Sequence, residues 1–93
     1  MAQIQVETEE QADGYTFQVT VKEGGSQTQH RVTLSEDDYQ RLSGGEASPE
    51  ALVEESFRFL LEREPKESIL RSFDLLVINR YFPSYEREIP SRL

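Results

Sequence analysis

Residues 48–82 read SPEALVEESFRFLLEREPKESILRSFDLLVINRYF, and they hold over half of the large apolar side chains of the protein. Ser48-Pro49-Glu50 has the form of a helix start, with a capping hydroxyl, a proline at the first position and an acid at the second. At 100° per residue, Leu52, Val53, Phe57, Phe59, Leu60 and Leu61 spread over about 200° of the helix that follows. Glu54, Glu55, Arg58 and Glu62 fill the remaining polar wedge. A helix lying on one neighbour needs an apolar stripe only somewhat over 100° wide. This helix, expected over 49–63, therefore has two apolar sides. One should meet a sheet, and the other a further helix or another chain.

Pro65 ends that helix and suits the first turn of the next, expected over 66–72 with Ile69, Leu70 and Phe73. Asp74 then reads as the cap of a helix over 75–82, which Pro83 closes. A strand over Leu75–Ile78 is the competing reading, because a short apolar run does not separate the two. Residues 90–93 read as a loose tail beyond a single domain over 1–89.

Upstream, the period changes from helical to alternating. Ile4 and Val6 alternate in a strand over 3–8, and Tyr15, Phe17, Val19 and Val21 in a stronger one over 14–22. Gly24-Gly25 supplies the hairpin turn. A third strand over 27–34 sets His30, Val32 and Leu34 on one face and Gln29, Arg31 and Thr33 on the other. Ser35, with Asp38 three residues on, caps a short helix over 36–43 that Gly44-Gly45 stops. The expected fold is α+β: a three-stranded antiparallel meander whose apolar face is covered by three to four helices. Its core should include Ile4, Val6, Phe17, Val19, Val21, Val32, Leu34, Leu42, Leu52, Phe57, Leu60, Leu61, Leu70, Phe73 and Ile78.

Composition removes several classes of function. The 93 residues include no cysteine and one histidine, which excludes disulfides and argues against an all-protein metal site. A net charge of −8, from 18 acidic and 10 basic residues, would repel a phosphate backbone. The chain shows no signal-peptide pattern and no apolar run near the roughly eighteen residues of a membrane helix. A cytoplasmic protein without a membrane or nucleic-acid partner is expected. No nucleophile motif, Gly-rich phosphate loop or metal-ligand spacing is present, so no catalytic, cofactor-binding or metal-binding residue is assigned.

HRVTLSEDDYQRL at 30–42, SFRFLLEREPKESILRSFDL at 56–75 and VINRYFPSY at 77–85 resemble a group of small uncharacterised bacterial proteins. The resemblance covers the C-terminal two-thirds. It implies a bacterial cytoplasmic protein and carries over no site.

Three functional expectations follow. The leading one is a non-enzymatic interaction or regulatory module that binds a protein partner, or itself, through its helical half. Phe59, Arg80, Tyr81, Phe82 and Tyr85 are the candidate contact residues, since Arg and aromatic side chains dominate binding hot spots. The alternative is a small ligand-binding protein or enzyme using His30 as a general base with nearby acids. A further alternative is a ribbon-helix-helix DNA binder reading bases through Gln29, Arg31 and Thr33.

Overall fold

The computed structural model describes residues 2–93, so residue 1 of the expected 1–89 domain lies outside the described residues. β1 (Gln3–Gln11), β2 (Gly14–Glu23) and β3 (Ser26–Ser35) form the expected antiparallel meander. Gly24 and Gly25 turn the second hairpin with φ of 65° and 81°, values that only glycine takes without strain. The alternation sorts the faces as read. Phe17, Val19 and Val21 of β2 pair with Val32, His30 and Thr28 of β3, and all six are buried. Thr20, Gln18, Gln29 and Arg31 lie in the opposite set, on the polar face.

α1 (Glu36–Ser43) starts where the Ser35 hydroxyl accepts the Asp38 amide at 3.1 Å. It ends at Gly44, whose left-handed φ of 68° lets its N–H close on the Gln40 carbonyl. The Tyr39 hydroxyl donates to the Ala47 carbonyl and closes the loop that follows. α2 (Pro49–Leu61) starts with the Ser48 hydroxyl accepting the Ala51 amide. Both apolar sides of α2 are covered from within the chain. Phe57 faces the sheet, 5.3 Å from the His30 ring and 6.1 Å from the Phe73 ring. Phe59 faces away from it and meets Phe82 and Tyr85 edge-on, at 6.0 and 5.4 Å.

Upstream of Pro65 only boundaries move, with β1 running past the expected 3–8 to Gln11 and α2 stopping at Leu61, short of 63; the three larger departures all lie after Pro65. The helix expected over 66–72 is one 3-10 turn, Lys66–Ser68, after which the chain extends into β4 (Ser72–Asp74). β4 adds to β3 in parallel and makes the sheet four-stranded, in the order β1-β2-β3-β4. The reason is long-range: β3 carries unpaired backbone groups along its open edge, and pairing satisfies those around Arg31, Val32 and Thr33. Arg31 N–H donates to the Arg71 carbonyl at 2.7 Å, and the Thr33 hydroxyl to Asp74 Oδ2 at 3.1 Å. Leu70, expected in the core, is exposed on this segment.

Asp74 does cap a helical segment, its carboxylate accepting the Leu76 amide at 3.1 Å. That segment is a 3-10 turn, Leu75–Val77, leading into a short α3 (Ile78–Tyr81).

The third departure is α4 (Tyr85–Arg92), where a loose tail was expected beyond Ile89. Tyr85 and Ile89 are fully buried. The Tyr85 hydroxyl shares a 2.6 Å hydrogen bond with Ser56 of α2, and the Arg92 guanidinium grips Glu62 at 2.9 and 2.6 Å. Few apolar residues are needed here, because Tyr85 and Ile89, one helical turn apart, are the buried residues of α4.

Replacing Ile89 by alanine should lower the unfolding free energy by about 2–4 kcal/mol. Urea denaturation checks this. A loss under about 0.5 kcal/mol, the ordinary surface value, would mean that α4 is not docked on α2.

Candidate functional site

Between the end of α2 and the β4–α3 segment lies a groove of about 240 Å³. α2 stops at Leu61, and the extended Pro65 that follows keeps the helix from resuming, so the chain leaves α2 to reach β3 instead of packing back along its own axis. Leu60 and Ile78 form the buried floor, while Phe73, Val77 and Phe82 line the walls half-buried. Leu70 at 45% and Tyr81 at 65% exposure are the large apolar side chains left open at its mouth. Leu70 is open because β4 pairing turned its segment outward.

Glu64 is the one charged residue in the lining. Burial raises its carboxyl pKa above the ordinary value, and no cation beside it offsets that. The neighbouring acid Glu62 behaves in the opposite way, held below the usual carboxylate range by the Arg92 guanidinium.

The candidate contact residues separate into two groups. Tyr81 and Phe82 belong to the groove, and Arg80 lies beside it on the exposed surface of α3. Phe59 and Tyr85 are fully buried against each other, so neither presents a surface. Over the Phe59 ring, at 3.6 Å from its centroid, sits the Arg63 guanidinium, which seals this cluster from solvent. Leu70, Phe73 and Val77 were missed as surface-forming residues. No local signal marks them, because their exposure depends on the pairing of β4.

His30 lies outside the groove, 1% exposed beneath α2. Its Nδ1 is 2.7 Å from the Leu70 carbonyl and its Nε2 is 2.8 Å from the Thr28 hydroxyl. A carbonyl only accepts, so Nδ1 carries the proton. In the neutral ring Nε2 then accepts from Thr28. Burial lowers the His30 pKa, and the Arg71 charge adds to this, while the Leu70 carbonyl opposes both. With both nitrogens occupied, the ring acts as a tie between β3 and the segment that enters β4. Gln29, Arg31 and Thr33 sit on a strand flanked on both sides by β2 and β4. Among the described residues no cluster of three potential metal ligands occurs, and no helix is long and apolar enough to cross a membrane.

No family model, curated protein or solved structure matches the chain.

Two titration experiments follow from these geometries. His30 has a folded pKa below its unfolded value, so only the unfolded state gains a proton as the pH first falls below 6.5. Stability should fall with pH across that window, and His30→Gln should remove this part of the slope while costing about 1–3 kcal/mol at neutral pH. Denaturation midpoints measured against pH read both effects. For Glu64 the sign is reversed. Its raised folded pKa penalises the folded state above that pKa and not below the unfolded one. Glu64→Gln should therefore leave stability equal or raise it by up to about 0.5 kcal/mol at neutral pH. The difference should vanish under acid conditions.

Proposed function

We propose that the protein is a non-enzymatic interaction module that takes a protein partner in the groove between α2 and α3. The observation that carries this reading is the exposure of Leu70 and Tyr81 around a half-buried apolar lining. Large apolar residues left open together, over a concave floor, are a common form of protein contact site. The groove is also smaller than the roughly 300–1,000 Å³ of small-molecule sites, which suits one anchoring side chain. A cytoplasmic setting fits the cysteine-free sequence.

The ligand-binding or enzymatic reading through His30 lacks an accessible nitrogen, since Thr28 and Leu70 occupy both. A ribbon-helix-helix reading needs a free β-ribbon, and β3 is an interior strand. Self-association has to overcome a net charge of −8 on each copy.

The test compares native-level capture by the wild-type protein with capture by Leu70→Asp and Tyr81→Asp. Both positions are exposed, so thermal stability should change little. A stoichiometric partner bound by wild type and weakened at least about tenfold by either variant is expected, the loss seen when a contact hot spot is removed. A partner held equally by all three would place the contact elsewhere. Light-scattering mass should give the monomer at micromolar concentration.

A further inference from the structure

The glutamates around the α2–β4 junction are matched to cations with one exception. Glu62 pairs with Arg92 and Arg63, Glu67 with Lys66 at 2.8 Å, and Glu88 with Arg63 at 3.0 Å. Glu64 makes no side-chain hydrogen bond or ion pair among the described residues. Yet Arg63 and Lys66 stand one and two positions from it in the chain. Arg63 is turned away over Phe59, giving an Nη1 proton to the Phe59 carbonyl at 3.0 Å. Lys66 runs its buried stem toward Glu67 instead. A carboxylate is thus left unmatched in the wall of an apolar groove, although two cations were close enough in sequence to match it.

Resting on the interaction reading above, we infer that the groove takes a basic-apolar segment of a partner protein. One large apolar side chain enters between Leu70, Phe73 and Tyr81, and a neighbouring lysine or arginine pairs with Glu64. The chemistry is complementary in both parts. The apolar lining is relieved of water, and the under-solvated carboxylate receives the donor that the chain itself withholds. An acidic or neutral partner would leave Glu64 desolvated and unpaired, which costs binding and so selects against such partners. A second copy of this acidic chain is disfavoured on the same ground.

The probes are phenethylammonium, phenethyl alcohol and hydrocinnamate, which share a phenyl ring on a short chain and carry positive, zero and negative charge. Each is titrated at low ionic strength into isotope-labelled full-length protein, following the amide signals of Glu64, Leu70, Phe73 and Tyr81. The ammonium probe should bind about fivefold tighter than the alcohol, the upper range for a partly exposed ion pair, with hydrocinnamate weakest. Added salt should erase the difference. Glu64→Gln should keep alcohol binding and lose the ammonium preference. Equal binding of ammonium and alcohol by wild type would overturn the basic partner and leave the groove reading standing. A preference that survives in Glu64→Gln would overturn the assignment to Glu64. No shift at the four signals with any probe would overturn both readings.

Discussion

The arrangement of the whole chain depends on one constraint: α2 is apolar around more than half of its circumference and must be buried on two sides. A sheet can supply only one of them. Phe57 takes the sheet side and Phe59 the other, and the two rings project from opposite faces of the same helix. The second cover is α4, held by the Ser56–Tyr85 hydrogen bond and by Arg92 on Glu62. Ser56 is instructive. It is a fully buried polar residue in an apolar helix, and its hydroxyl is satisfied both by the Leu52 carbonyl and by Tyr85. A buried hydroxyl without those partners would cost about 1–3 kcal/mol, so the bond selects where α4 crosses.

The same constraint explains the route between the two covers. To return from the end of α2 to a position where α4 can lie on Phe59, the chain first crosses to the open edge of β3. Parallel pairing is the outcome, as for two strands joined by helical connections. With three residues, β4 is too short to hold this path by its ladder alone. His30 reaches across from β3 to the Leu70 carbonyl and holds the segment one step before the ladder begins. A buried imidazole needs both nitrogens satisfied, so its position in β3 imposes a partner on the incoming backbone. The buried histidine is a joint of the fold.

How much of this was legible in the sequence divides sharply at Pro65. Before it, alternation in the strands and capping signals at Ser35 and Ser48 agree with the tertiary structure, and each boundary falls within a few residues of the reading. After it, local pattern and tertiary demand separate. Ile69, Leu70 and Phe73 have helical spacing, but the unpaired edge of β3 outweighs the modest propensity of a short segment. The tail failed for a different cause: an eight-residue helix that buries only two side chains has too few apolar residues for periodicity to register. Of the candidate contact residues, Tyr81 stands exposed at the groove, while Phe82 is half-buried against Phe59. Phe59 and Tyr85 cover each other, which no spacing rule reveals.

What remains after both sides of α2 are covered is the groove, and its physical character differs from that of the rest of the surface. Elsewhere the acidic excess is matched or held in water, as on the polar face of the sheet. In the groove a carboxylate lies against hydrocarbon, and Leu70 and Tyr81 stand open at the mouth. Each of these is mildly unfavourable for the isolated fold. A leucine in water forgoes part of the roughly 1.5–3 kcal/mol that burial would return. Unfavourable features of two different kinds, concentrated on one concave surface, are what the proposed partner segment would relieve. The site thus follows from the same step that built the fold: the departure of the chain at Pro65 that let β4 form also left the end of α2 uncovered.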